Sequence, residues 1–182
     1  MSDKKITTER LIIRPFANTD LDDLLLLIRD KMALEYAFTD TQWPTDDESM
    51  KKVLDYFVND KPLSWCAVEL KATGRVIGFV CAGAEDDVTR GLGYTIRSDF
   101  QSKGYAYEAC GALMTYCVKN LSTRRFTSGT ADCNIHSVKL LQKLGFNKIE
   151  SIEASFTKDA DGNPITFAAG KYEKIIKILR GE

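Results

Sequence analysis

The stretch from Gly93 to Leu121, GYTIRSDFQSKGYAYEACGALMTYCVKNL, constrains this chain most. A β-rich run ends near Ile96, a tight loop follows, and apolar residues then recur at helical spacing. Ala106, Ala109, Cys110, Leu113, Cys117 and Leu121 form one stripe, as in a helix lying on a sheet. The loop Gln101-Ser102-Lys103-Gly104-Tyr105-Ala106 has the form Q-x-x-G-x-A. A helix start leaves its first N–H groups unpartnered and carries partial positive charge, so it can hold a phosphate or pyrophosphate by main chain. Gly104 lets the backbone turn and approach a ligand, Ala106 keeps the first turn uncrowded, and Lys103 adds a mobile positive charge. The same residues also fit a plain strand-to-helix turn with one glycine. Nothing within the loop chooses between the two.

The rest of the chain supplies a sheet. Residues 7–14 alternate as a strand with Leu11 and Ile13 on one side. Asn18-Thr19-Asp20 offers a helix start, and Leu21, Leu24, Leu25 and Ile28 predict a helix over 19–31. Residues 33–46 mix aromatics with turn formers around Trp43-Pro44. They suit the wall of a binding pocket, and equally ordinary core packing. A second helix follows, capped near Thr45 or Asp46, with Met50, Val53, Leu54 and Phe57 inward and Pro62 ending it. Residues 65–70, 76–82 and 89–97 predict an antiparallel meander, turning at Lys71–Gly74 and at Glu85-Asp86-Asp87. Gly91-x-Gly93 lacks the third glycine of a dinucleotide fingerprint. After the long helix, 125–130 returns as a strand parallel to 89–97. Asn134 and Gly145 start and stop a short helix, and strands 147–157 and 165–179 close the chain. The loop 159–164 has its glycine too early, and no glutamate at the twelfth position, for a calcium loop.

Composition narrows the function. A length of 182 residues suits one domain spanning 1–182, and a net charge of −1 gives no global basic field to attract nucleic acid. The five cysteines form no C-x-x-C pair and read as reduced and buried. No apolar run is long enough to span a bilayer and no basic-then-apolar leader opens the chain, so a cytoplasmic protein without membrane contact is expected.

Q-x-x-G-x-A after a YTI strand, followed by Glu108-Ala109, resembles motif A of the GNAT superfamily of acetyl-CoA-dependent N-acetyltransferases. FQSKGYAYEA is most similar to the branch that acetylates ribosomal-protein N-termini. Three further segments resemble that branch: Thr8–Arg14 (TERLIIR) as its first strand, 75–80 (RVIGFV) as its third, and 134–146 (NIHSVKLLQKLGF) as its N-x-x-S…LGF segment. The resemblance implies the GNAT fold, an α/β (α+β) architecture. Its sheet is mixed, mostly antiparallel and seven-stranded, with helices on both faces and a splayed central strand pair.

It also implies a chemistry. Acetyl-CoA would be the cosubstrate, its pyrophosphate on the loop residues Gln101, Ser102, Lys103, Gly104, Tyr105, Ala106 and Tyr107. Its pantetheine arm would pair with the strand edge Tyr94, Thr95 and Ile96, whose amides would polarise the thioester carbonyl. Asn134 would reach the pantetheine region, or serve as a plain helix cap, or both. Ser137 would hydrogen-bond or protonate the departing sulfur, or stand as a helix-surface serine. His136, the only histidine, fits a solvated helix start. No metal or covalent nucleophile is called for. Two departures stand out. The family's tyrosine acid, seven residues after the asparagine, is Leu141 here, and its glutamate base, five before, is Gly129. An α-amine (pKa about 7.7–8.0) is partly neutral at pH 7 whereas lysine (about 10.4) is not, which favours a protein or peptide N-terminus as acceptor. Small amines such as polyamines or aminoglycosides, and a non-catalytic CoA-binding module, are the alternatives. Glu35, Glu69, Glu85, Asp86 and Asp87 are candidate bases. A monomer or a homodimer fits equally.

Overall fold

A computed structural model describes residues 5–60 and 64–177. Pro62, expected to end the second helix, lies outside the described residues, as do residues 178 and 179 of the expected last strand. The elements run β1 (Ile6–Thr7), β2 (Leu11–Pro15), α1 (Leu21–Met32), α2 (Asp47–Asn59), β3 (Trp65–Leu70), β4 (Arg75–Ala84), β5 (Thr89–Ile96), α3 (Tyr105–Asn120), β6 (Arg125–Ala131), α4 (Ile135–Lys143), β7 (Asn147–Lys158) and β8 (Pro164–Ile175). Among the described residues they build one eight-stranded sheet in the order β1-β2-β3-β4-β5-β6-β8-β7. Every pairing is antiparallel except β5 with β6, which the α3 crossover joins in parallel.

The eighth strand is a fragment of the expected first one. Thr8 closes a tight turn by hydrogen bonds between its main chain and side chain and Leu11. Ile6–Thr7 therefore folds back on Ile12–Ile13 instead of continuing as a single strand over 7–14. Elsewhere the apolar periodicities translate directly into burial. Leu11, Ile13, Leu24, Ile28 and Met50 are fully buried, with Leu54 and Phe57 nearly so. Asp46 caps α2 by accepting from the Ser49 amide, and Gly145 takes a left-handed φ of 85° just past α4.

The sheet separates two apolar clusters. One lies under α3 and α4 and includes Leu11, Val80, Leu92, Ile96, Cys110, Leu113, Phe126 and Leu141. The other lies under α1 and α2 and includes Phe16, Leu24, Met50, Phe57 and Phe79. A bulge places one extra residue, Ile77, in β4 opposite Val68-Glu69. The neighbouring Gly78 is required by space, since a Cβ there would stand 2.3 Å from the Thr95 carbonyl oxygen. Beside the bulge the backbone of β5 thus runs hard against β4 at Thr95-Ile96, beyond the point where β5 leaves β6.

Candidate active site

The site begins where a ladder stops. β5 pairs with β6 only through Thr89, Arg90 and Gly91, while β4 follows β5 as far as Ile96. The Ser128 hydroxyl donates to the Leu92 carbonyl at 2.9 Å, marking the point where the two strands part. The Arg97 amide bonds to Ile77 on β4, so alternation turns the main-chain groups of Tyr94 and the N–H of Ile96 toward the gap. Thr95 turns its own toward β4. Of the three edge residues read from the sequence, two therefore face the cleft by backbone, and Thr95 lines it by side chain only. The cleft has a volume of about 800 Å3.

At one end of the gap stands the glycine loop. Gly104 takes a φ of 83° and starts α3 without any side-chain cap. The amides of Gln101 and Glu108 bond to Ser98 and Gly104, but those from Ser102 to Tyr107 have no partner among the described residues. An ordinary helix start satisfies such groups with a Ser, Thr, Asp or Asn side chain. Here a row of donors is left open at the positive end of a helix of 16 residues, which fits a pyrophosphate. Within the loop the roles differ. The Gln101 side chain donates to the Ile96 carbonyl at 2.8 Å and so braces the loop against β5. Lys103, expected as a mobile charge, instead donates to the Asp99 carbonyl at 2.7 Å and does not line the cleft. Its amide is one of the open donors of the loop, while its ammonium is engaged away from the cleft.

The loop is held from below by residues that the motif does not contain. Arg10 donates to Glu108 at 2.7 Å and to the Lys103 carbonyl at 2.9 Å, and its guanidinium lies 4.4 Å from the Tyr105 ring centroid. Glu108 also accepts from the Thr8 hydroxyl at 2.6 Å and the Arg10 amide at 2.9 Å. Burial opposes the charge of Glu108, but these donors together hold its carboxyl below the ordinary value of 4.5. Glu108 is thus a clamp between α3 and the β1–β2 turn. Lys143, from the last turn of α4, covers the Tyr107 ring at 4.5 Å. Arg10 and Lys143 were not visible as site residues, because nothing local in the sequence ties them to the loop.

Across the gap, Asn134 caps α4 by accepting from the Ser137 amide at 3.1 Å. Its side-chain amide nitrogen has no partner among the described residues, and Asn134 lines the cleft. The capping role and a ligand contact are therefore compatible. Ser137 also lines the cleft, with its hydroxyl 2.8 Å from the Tyr94 hydroxyl. Burial holds the Tyr94 phenol well above its ordinary value, against the pull of the Ser137 hydrogen bond. Leu141 is fully buried core, and exposed His136 lies on the cleft wall.

The opposite wall comes from α1, the α1–α2 connection and the β7–β8 hairpin. Trp43 packs edge-on against Trp65 and Phe57, with centroids 5.9 and 5.8 Å apart, so the aromatic connection both lines the cleft and seals the second core. Phe38 meets Phe167 edge-on at 6.0 Å. None of the expected bases lines this wall. Glu69 is bound to Arg14 at 2.6 Å, Glu85 accepts from Thr127, and Asp86 caps its own turn at Val88 and Thr89. Glu35 and Asp87 are also outside it. Among the described residues the carboxylates of the lining are Asp30, which accepts twice from Ser98, and Asp40, paired with Lys31. Sequence could not find them, because Asp30 meets Ser98 only through the packing of α1 beside the end of β5, and Asp40 depends on how the irregular connection folds. Burial pushes the Cys81 thiol in this wall up to about 11, against the pull of the Gly93 amide, so it stays a neutral thiol. Cys66, Cys110 and Cys117 are buried as expected, whereas Cys133 is exposed in the turn before α4, and all are unpaired. Among the described residues no group of side chains could hold a metal ion, and no helix is long and apolar enough to cross a membrane.

Comparison with known proteins gives three agreeing results. The sequence profile described as Acetyltransferase (GNAT) domain matches residues 10–147. The N-acetyltransferase p20 of Bacillus licheniformis is 30% identical over 148 residues, covering 78% of this chain and 81% of that protein. Two solved structures share the fold. One is a ribosomal-protein-S5-alanine acetyltransferase from Vibrio fischeri, with TM-score 0.78, 19% identity, and 98% and 100% of the two chains covered. The other is RimL, a ribosomal L7/L12 alpha-N-protein acetyltransferase in complex with coenzyme A, with TM-score 0.74, 18% identity, and 95% and 98% covered.

Proposed function

Since the chain belongs to the GNAT family of acetyltransferases and uses acetyl-CoA as cosubstrate, we propose that its acceptor is the α-amino group of a protein or peptide. The observation that carries this reading is the charge balance of the acceptor wall. The cleft holds two carboxylates among the described residues, Asp30, which accepts twice from Ser98, and Asp40, whose charge is offset by Lys31. A polyamine or aminoglycoside needs several unpaired acids to offset its charges, and this wall offers a near-neutral, aromatic surface. With no dedicated base beside it, the acceptor must be an amine that is already partly neutral, as an α-amine is at pH 7. The two structural neighbours named above, which are protein acetyltransferases by name, agree with this choice.

The residues divide the work. Acetyl-CoA supplies the activated acyl group. The open amides from Ser102 to Tyr107 would hold its pyrophosphate, with Arg10 and Glu108 fixing the loop, and the free edge of β5 at Tyr94 and Ile96 would hold the pantetheine arm. The acceptor loses a proton to water in the open cleft, and its nitrogen lone pair forms the new C–N bond at the thioester carbonyl. An amide donor on β5 meets the charge that develops on the carbonyl oxygen. As the C–S bond breaks, its electron pair leaves on sulfur, where the Ser137 hydroxyl donates a hydrogen bond. The nitrogen's second proton passes to solvent or to the thiolate. One domain spanning 1–182, working on the cytoplasmic pool of acetyl-CoA, completes the reading.

The test is an acetylation screen of peptides with varied first residues beside spermidine, an aminoglycoside and Nε-presenting lysine peptides, following thiol release. Preference for peptide α-amines is expected. Turnover confined to the polyamine or aminoglycoside would overturn the reading.

A further inference from the structure

Lys31 is where the acceptor wall departs from an ordinary helix. It falls on the last turn of α1, one helical step past the core residue Ile28, and is only 9% exposed. An inward position there would ordinarily hold another apolar residue. Its ammonium reaches Asp40 at 2.7 Å and lies 5.9 Å from the Trp43 ring centroid. An ammonium has three donors, and Asp40 is the one acceptor recorded for it among the described residues. A buried cation with donors left over is costly unless something else accepts from it. Asp40 is built the other way. Its side chain is 51% exposed, with one oxygen on Lys31 and the other accepting from the Thr41 amide at 2.6 Å. Each oxygen keeps a further lone pair for a donor arriving through the cleft.

The pair sits beside the reacting strand. Lys31 and Asp40 both line the cleft, and both act electrostatically on the Cys81 thiol. Cys81 packs against Gly93 so closely that a Cβ there would lie 2.7 Å from its sulfur. Gly93 directly precedes Tyr94, where the edge of β5 opens. The pair therefore shares the cleft with the strand that would hold the acyl group, and α1, which carries Lys31, packs on the sheet face opposite α3.

Resting on the α-amine reading above, we infer that this pair recognises the first residue of the acceptor peptide. Asp40 accepts from its α-ammonium, and Lys31 donates to the carbonyl oxygen of the same residue. In a peptide terminus that nitrogen and oxygen are three bonds apart, about 3 Å through space. This matches the 2.7 Å between the lysine nitrogen and the aspartate oxygen. A lysine side chain or a polyamine brings a cation with no acceptor beside it. It would satisfy Asp40 but leave the remaining donors of the buried Lys31 ammonium without an acceptor. The pair thus selects amines that carry a carbonyl on the adjacent carbon.

The experiment compares kcat/KM for a tripeptide, for its analogue with the first carbonyl replaced by methylene, and for the free first amino acid. The wild-type protein should prefer the tripeptide to the methylene analogue by about tenfold or more. In Lys31→Met that ratio should fall to near one. Differences in amine basicity between the substrates cancel when the ratio is compared across the two enzymes. Lys31→Met removes a buried charge and leaves a half-exposed carboxylate, so folding should survive, with melting temperature and CoA binding as checks. Should it fail to fold, Lys31→Gln retains a neutral donor and should show an intermediate ratio. An unchanged ratio in the folded variant or a wild-type ratio of one would each overturn the inference while leaving α-amine acetylation standing. Absence of turnover on all three, with turnover on another amine, would sink the α-amine reading itself.

Discussion

The hydroxyls of Tyr94 and Ser137 lie 2.8 Å apart, joining the free edge of β5 to the first turn of α4 across the cleft. The family's acid position is a buried leucine here, Leu141, and a phenol arrives from the strand instead. Burial keeps that phenol protonated throughout the ordinary pH range, so it is a permanent donor. When it donates to the serine oxygen, the serine's own hydrogen is left for the departing sulfur. Transfer of the phenol proton to a thiolate of pKa near 8.5 would run uphill, so in the proposed reaction Tyr94 would act by positioning Ser137.

Ser137→Ala should therefore lower kcat and kcat/KM together, by about 10–100-fold, with acetyl-CoA affinity preserved. Tyr94→Phe should give a smaller loss. In the double variant the two effects should be less than additive, because they act through one hydrogen bond. Steady-state kinetics and CoA titration on the same samples check this, and full additivity would separate the two residues.

Gly104→Val should weaken CoA binding far more than Lys103→Ala. The left-handed φ of 83° strains any side chain, and a Cβ would also meet the Arg10 guanidinium at 3.3 Å. The exposed Lys103 ammonium holds the Asp99 carbonyl and lies over the Phe100 ring, outside the cleft lining. Calorimetric titration of both variants with CoA distinguishes them, and equal losses would remove the main-chain cradle.

Glu108→Gln should destabilise the fold by about 1–3 kcal/mol and weaken CoA binding, because Thr8 and Arg10 lose a charged acceptor. The sign with pH follows from its lowered pKa. The carboxylate's contribution is present above the unfolded value near 4.5 and is lost as pH falls through the lower folded value. Wild-type melting temperature should thus drop more steeply than that of Glu108→Gln as pH is lowered below about 4. Parallel curves would leave Glu108 without this role.

Trp43→Ala should cost about 3–5 kcal/mol, since Trp43 packs against Phe57, Trp65 and Phe79. It should also raise the acceptor KM while leaving CoA affinity nearly unchanged in the folded fraction. Thermal denaturation with kinetics separates packing from pocket shape. Asn134→Ala offers a smaller case of the same overlap. Loss of the cap should cost about 1 kcal/mol, and loss of its side-chain amide should weaken acetyl-CoA binding.

By itself the sequence determined whatever depends on near neighbours in the chain. Helical spacing set the buried faces of α1, α2 and α3, and alternation set those of the strands. Gly104, Asn134, Asp46 and Gly145 declared their turns and caps, because each acts on backbone within a few residues of itself. The order of those pieces, together with the resemblance of four segments to a known family, was enough to expect the fold. Tertiary structure decided what depends on contacts between distant segments. Thr8 and Arg10 reach Glu108 across about a hundred residues of chain, and Tyr94 reaches Ser137 across 43. Lys31, which sequence leaves as one more surface cation, becomes a buried donor only because the connection carrying Asp40 and Trp43 closes over it. Local pattern fixes which way a side chain leaves its own strand or helix, and only packing fixes what it meets there.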